Sequence, residues 1–284
     1  RVAITSGNVI SEFEPLLGYQ LQHLLITKYE DYLSANSIRH LPQSLINKNI
    51  QPLAKDVFEW KSLQNINSRP ETISINSKKD AAAILYTSGT TGKPKGCTHT
   101  HFTMMHSLVG ASLWENLNHD SVSLATAPMF HVTGMQHSLN TAIYTGSKMV
   151  ILPRWDPDLA GSLIEKHSCT HWANVPTMVV DLLADTGTKS KNLSSLKVIF
   201  GGGAPMPESV AQELYERCGV RYMEGYGMTE TISQTHMNPP AELRKQCLGI
   251  PYFDTEAIIV DPDTLKILRE NERGEILVRG PQVM

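Results

Sequence analysis

YTSGTTGKPKG, residues 86–96, packs three glycines, two lysines, a proline and four serine or threonine hydroxyls into eleven positions. It follows the apolar run Ala81-Ala-Ala-Ile-Leu85, which reads as a strand. Glycine reaches positive φ and leaves backbone N–H groups free to converge on an anion, and the hydroxyls with Lys93 and Lys95 add donors and charge. A nucleoside triphosphate is the natural occupant of such a loop. The common phosphate-loop pattern GxxxxGK[ST] does not fit, because Pro94 stands where that pattern puts the hydroxyl that binds Mg²⁺. A metal ligand must therefore come from elsewhere in the chain. The bland alternative is a mobile Gly/Ser/Thr surface loop, and the density of specific residue types weighs against it.

Around this loop, short β-branched runs alternate with helical patterns. Lys148–Leu152 leads to a helix from about Pro157 to His167, then to Thr170–Ala173 and a helix from about Thr177. Val198–Phe200 leads through Gly-Gly-Gly-Ala-Pro to a helix from Pro207 to Arg217 and on to Val220–Met223. These are βαβ units, whose strands should lie parallel in a sheet covered on both faces and bind ligands at their carboxyl ends. The Gly-rich stretches at 89–96, 201–203 and 225–227 are each expected to follow such a strand. After Asn238-Pro-Pro240 the pattern changes to Glu256–Val260, a turn at Asp261-Pro-Asp263, and Gly274–Arg279, an antiparallel β unit. The expected fold class is α/β: two layered αβα subdomains with mostly parallel sheets, 1–115 and 116–237, and the start of a small antiparallel β-barrel subdomain at 238–284.

Composition bounds the partners. The chain has 284 residues, 41% hydrophobic and 19% charged, with a formal net charge of −3. It carries no basic surplus for a nucleic-acid backbone or an anionic membrane. No apolar run approaches the roughly 18 residues that span a bilayer. Cys97, Cys169, Cys218 and Cys247 are widely spaced and read as reduced thiols of a cytoplasmic protein. The chain starts at Arg1 and stops at Met284 inside an apolar stretch, and it is expected to be part of a longer enzyme.

YTSGTTGKPKG resembles the signature loop of the adenylate-forming superfamily, which includes acyl- and aryl-CoA synthetases, firefly-type luciferases and the adenylation domains of peptide synthetases. The resemblance continues in order through Ala127-Pro-Met-Phe-His131, Gly202-Gly-Ala-Pro205, Glu224-Gly-Tyr-Gly-Met-Thr-Glu230 and Gly274–Gly280. It covers the chain from about residue 80 onward.

The resemblance implies a role for each matching residue. Thr87, Ser88, Gly89, Thr90, Thr91, Gly92 and Lys95, with Lys93 less firmly matched, would hold the β- and γ-phosphates of ATP. Tyr226 would stack on adenine, opposite Gly202, Gly203, Ala204 and Pro205. Glu224 would accept a hydrogen bond from the adenine amino group, with Gly225 and Gly227 completing the segment. Thr229 would bind the α-phosphate and Glu230 would ligate Mg²⁺, which supplies the metal ligand that Pro94 displaces. His131 would orient the substrate carboxylate and gate its access. Tyr144, Asn174, Val175, Gly201, Met228 and the stretch from Val132 to His137 are weaker candidates for the acyl pocket. His99-Thr-His101 has close spacing, but no Cys/Asp/His cluster at zinc spacing accompanies it.

The reaction implied is activation of a small carboxylic acid by ATP and Mg²⁺ to an acyl-adenylate, followed by transfer to coenzyme A. Relatives that activate amino acids place an aspartate soon after the strand ending near Pro128; here Met129-Phe-His131 stands there, which favours an acid without an amino group. Phe130, Val132, Met135 and Met178 suggest a medium- or long-chain fatty acid, with an aryl acid, an amino acid or another acceptor as alternatives. The aspartate that grips the ribose, the hinge and the C-terminal lysine of the family would lie beyond Met284, so residues 1–284 alone are expected to turn over slowly or not at all. A kinase would also need a phosphate loop and Mg²⁺, and a non-catalytic nucleotide-binding fragment stays open, as does an oligomer.

Overall fold

A computed structural model describes residues 1–34, 45–46, 55–64, 68–89 and 92–284. They form two compact units, Arg1–Ile73 and Ser74–Met284. In the first unit, β1 (Val2–Ser6), β2 (His23–Thr27) and β3 (Val57–Glu59) pair in parallel, in that order. Their inward residues Leu24, Ile26 and Val57 form a small core.

The second unit begins with β4 (Ala81–Thr87) and β5 (Lys95–Thr100), followed by α1 (His101–Trp114), which Thr100 caps by accepting from the Thr103 N–H at 3.2 Å. Then come β6 (Val122–Ala125), a helical stretch from Val132 to Thr145, β7 (Lys148–Ile151), α2 (Pro157–His167), β8 (His171–Asn174) and α3 (Pro176–Ala184). The remainder is β9 (Val198–Gly201), α4 (Glu208–Cys218), β10 (Tyr222–Met228), β11 (Ser233–Met237), β12 (Ile250–Pro251), β13 (Glu256–Val260) and β14 (Glu275–Arg279). The main sheet has the order β12-β11-β10-β9-β8-β6-β7. Its five strands from β7 to β10 are parallel, and β11 and β12 add antiparallel edges. The mixed α/β class expected from sequence is present.

Side chains alternate across these strands, and both faces are buried. Trp172, Ile199 and Tyr222 face α2, α3 and α4, where Ile164, Leu182 and Leu214 meet them. Their neighbours Ala173, Phe200 and Met223 face the opposite side, with Met237, Tyr252 and Trp114 at the end of α1. Trp172 is fully buried and stacks on Trp155 at 5.7 Å and 16°. The bounds of α2 follow from its ends: Asp156 accepts from the Leu159 N–H at 2.9 Å, Pro157 opens the helix, and Ser168 closes it in a left-handed conformation. β13 and β14 pair antiparallel. Between them Asp261 accepts the N–H groups of Asp263 and Thr264, which holds its carboxyl below the usual range and builds the expected turn.

Two local expectations fail. The loop strand does not feed a parallel sheet: β4 and β5 pair antiparallel, with Thr87 opposite Lys95. So short a connection has no room for the crossover of a dozen or more residues that parallel strands need. Gly225 and Gly227 do not follow a strand but lie inside β10, whose register against β11 shifts between Tyr226 and Gly227. That bulge turns the chain locally without ending the strand.

Candidate active site

One cavity of about 400 Å³ gathers His131, Gly202, Gly203, Gly225, Tyr226, Gly227, Thr229 and Glu230. The carboxyl end of β9 supplies Gly201 and the residues after it Gly202 and Gly203; β10 supplies Tyr226, and the turn Thr229–Thr231 lies between β10 and β11. The walls touch at backbone level. A Cβ on Gly202 would lie 2.5 Å from the Gly225 carbonyl oxygen, so only glycine lets β9 and β10 close here. Part of the Gly-rich pattern thus serves strand packing as well as any ligand.

The turn at 229–231 is held from several directions. Thr231 Oγ1 lies within donating distance of the carbonyl oxygens of Met228 (3.1 Å) and Ser233 (2.9 Å), which share its one hydrogen, and accepts from the Met228 N–H (3.2 Å). Ile232 takes a left-handed conformation, φ 50, which is costly for a β-branched residue. Its fully buried side chain packs with Leu85 of β4 and Val132, which holds it there. Glu230 is half-buried, and its carboxylate has no salt-bridge partner among the described residues. One hard carboxylate beside a threonine hydroxyl suits Mg²⁺ shared with phosphate oxygens. No group of three or more His, Cys, Asp or Glu arranged for a metal occurs among the described residues, and shared coordination of this kind needs none.

His99 joins β5 to this turn. It is completely buried; its Nε2 lies 2.7 Å from the Thr229 carbonyl oxygen and its Nδ1 lies 3.4 Å from Thr103 Oγ1. Burial lowers its pKa, against the opposing pull of the Thr229 carbonyl and the Glu230 charge. The neutral ring then donates from Nε2 to the Thr229 carbonyl, while the Thr103 hydroxyl beside Nδ1 also has the Thr100 carbonyl as an acceptor at 3.0 Å. Burial, and second the Glu230 charge, also push the Cys97 thiol up.

The other expected residues are distributed as follows. Thr87, Ser88, Gly89, Gly92, Lys93 and Lys95 sit at the β4–β5 hairpin, where Gly89 has φ +63 and the Gly92 N–H reaches its carbonyl at 3.4 Å. None of them lines the cavity, and Thr90 and Thr91 lie outside the described residues. Ala204 and Pro205 are exposed beyond the cavity wall. Glu224 is buried and turned away: its Oε1 accepts the Met206 N–H at 3.0 Å, and it lines a separate cavity of about 290 Å³. The pleat alone would put Glu224 and Tyr226, two residues apart, on the same side of β10, and it is the Met206 N–H that takes up the Glu224 carboxylate.

Of the acyl-pocket candidates, Val132, Thr133, His137, Val175, Gly201 and Met228 line the cavity. Tyr144 is exposed, and Asn174 is occupied, accepting from Tyr222 at 3.1 Å and donating to the Trp172 carbonyl at 3.2 Å. Phe130 is 85% exposed, Met135 packs with Leu85 and Ile232, and Met178 packs on the main core. Most of the side chains that suggested an aliphatic tunnel are therefore elsewhere.

A profile described as "AMP-binding enzyme" matches residues 21–284. The chain belongs to the AMP-binding enzyme family. Among AMP-binding enzymes it is 34% identical over 213 residues to a long-chain-fatty-acid–CoA ligase of Bacillus subtilis, covering 74% of this chain and 38% of that protein. It is 33% identical over 242 residues to a 2-succinylbenzoate–CoA ligase of Bacillus cytotoxicus, covering 84% and 49%. It thus spans less than half the length of these relatives. The crystal structure of an ATP-bound RpMatB–BxBclM chimera matches 99% of this chain and 50% of its own, with a TM-score of 0.76 and 24% identity, and that likeness carries the fold. No helix among the described residues is long and apolar enough to cross a membrane.

Proposed function

We propose that this AMP-binding enzyme activates a carboxylic acid with ATP to an acyl-adenylate and passes the acyl group to coenzyme A. The supporting observation is the single cavity that joins Tyr226, the Gly202–Gly203 wall, His131 and the Thr229–Glu230 pair. In this reading residues 1–115 contribute the phosphate loop through Thr87–Lys95, 116–237 the adenine and acyl pocket, and 238–284 the start of a β subdomain. The adenine lies between Tyr226 and the Gly202–Gly203 backbone, Thr229 donates to the α-phosphate, and His131 orients the carboxylate.

Glu230 would hold Mg²⁺, which when bound supplies charge neutralisation as pyrophosphate departs. A carboxylate is a poor electrophile because oxide would have to leave; AMP is a far better leaving group. The relatives' names span a long-chain fatty acid and succinylbenzoate, so a medium- or long-chain fatty acid is one reading of the acid among several.

The test is product analysis with the protein expressed from its complete reading frame, ATP, Mg²⁺, coenzyme A and an acid panel. AMP and a CoA thioester are expected, and Glu230→Gln should lower kcat/KM by about a hundredfold or more. ADP as the nucleotide product would replace this reading with a phosphotransferase.

A further inference from the structure

The cavity is also lined by a buried polar relay that adenine, phosphate and metal leave unused. His137 Nδ1 lies 2.6 Å from Glu115 Oε1, and His137 Nε2 lies 2.9 Å from Ser233 Oγ. His137 and Ser233 line the cavity, whereas Glu115 lies behind them, 1% exposed. His137 sits on Met135–Asn140, a widened π-helical turn of the kind common at functional sites. Its ring packs edge-on against Phe200 at 5.0 Å, and Phe200 lines the same cavity.

Burying Glu115 is costly, and its Oε2 has no partner among the described residues. What the carboxylate achieves is orientation: with Nδ1–H directed to Glu115, Nε2 must face Ser233. A neutral ring then accepts the Ser233 hydroxyl hydrogen and leaves serine lone pairs to accept from a ligand. A cationic ring donates to Ser233 and frees the serine hydrogen to donate to one. In either state Ser233 offers one further hydrogen bond to the cavity, and a hydroxyl can answer both. An alkyl terminus answers neither.

Resting on the adenylation reading above, we infer that the acid this cavity selects carries a hydroxyl group apart from its carboxylate, received by Ser233 on the His137–Glu115 relay. Ser233 is a specificity residue that touches the substrate hydroxyl, and Glu115 is a positioning residue that acts through His137. Phe200 supplies the apolar wall beside that hydroxyl.

The test uses the protein from its complete reading frame and matched pairs of acids, an ω-hydroxyalkanoate against the alkanoate of the same skeleton and a hydroxyphenyl acid against its phenyl parent. Each is scored by kcat/KM for AMP formation. The hydroxylated member of at least one pair should be preferred by about tenfold or more, because a site built to bond a hydroxyl rejects the analogue that lacks it. Ser233→Ala should bring that ratio near one. Glu115→Leu should do the same, while Glu115→Gln, whose amide oxygen still accepts from Nδ1–H, should restore most of it. AMP formation with equal or better use of the unsubstituted acids by the wild-type protein would overturn the inference and leave the adenylation reading standing. Absence of AMP formation with every acid would overturn both. The wild-type ratio needs no variant to fold.

Discussion

The imidazole of His99 ties β5 to the Thr229–Thr231 turn by lying 2.7 Å from the carbonyl oxygen of Thr229. The strand that leaves the glycine-rich hairpin is thereby fastened to the residues that carry the hydroxyl and carboxylate of the site. His99→Ala should destabilise the fold by about 1–2 kcal/mol through loss of its buried hydrogen bond to the Thr229 carbonyl, although that carbonyl keeps the Ile232 N–H at 3.1 Å and the Thr103 hydroxyl keeps the Thr100 carbonyl at 3.0 Å. It should also raise the KM for ATP more than Thr103→Ala does. Urea unfolding and ATP titration of both variants check this.

Acid should weaken the protein through its buried histidines. Burial lowers the pKa of His99, His171 and His236 from the ordinary value of 6.5. The unfolded chain then binds protons that the folded chain refuses, so the stabilisation is present above about pH 6.5 and is lost as pH falls below it through the depressed folded values. Thermal unfolding should show a lower Tm at pH 5.5 than at pH 7.5. Replacing His171, whose Nε2 meets the Glu115 carbonyl oxygen at 3.0 Å, with Gln should shrink that difference. A Tm that rises on acidification would contradict it.

Removing one member of the Glu115–His137 pair should cost more than removing both. Burial pushes the Glu115 carboxyl up and the His137 partner opposes this, so His137→Leu strands a buried acid. The expected loss is about 3–5 kcal/mol for the single change, with the Glu115→Leu/His137→Leu double variant recovering a substantial part. Chemical denaturation of the two single variants and the double variant measures the coupling.

Gly202→Ala should cost about 1–3 kcal/mol by forcing the added methyl toward the Gly225 carbonyl, which would lie 2.5 Å away. The same shift moves Tyr226, so nucleotide affinity should fall with stability. Gly203→Ala tests a different cause: nothing lies within 4 Å of its Cβ position, but its φ is +84. It should lower stability with less effect on the spacing of β9 and β10. Tm and ATP binding for the pair separate close approach from backbone conformation.

Much of this molecule could be read from its residues because the decisive signals are local. The helical pattern from about Pro157 to His167 matches α2, and the short β-branched run Val198–Phe200 and its βαβ setting match a parallel strand buried on both faces. The pairing of β4 with β5 was less visible, because an apolar run before a glycine-rich loop looks the same whether the next strand returns antiparallel or crosses over. The partner of Glu224 is equally invisible in the motif, because the Met206 N–H that its carboxylate accepts comes from the segment after β9 and not from its own strand. His99 was noticed only for its spacing from His101. The better signal was its inward register on β5, shared with Cys97, which demanded a partner for a buried ring. The Glu115–His137–Ser233 relay had no linear signature. Its members come from the residue that closes α1, a π-helical turn and β11, and no periodicity connects those places.

The unpartnered Oε2 of Glu115 sets an order on change. On the proposed hydroxy-acid reading, a lineage or a laboratory selection that retunes this pocket toward bare alkyl acids can alter Ser233 first, leaving the charged pair intact, or neutralise Glu115 and then release His137. The reverse order passes through a poorly folded ancestor. Routes to new substrates from this chain should therefore be short at β11 and long at His137, and substitutions recovered at His137 should arrive together with a neutral residue at position 115.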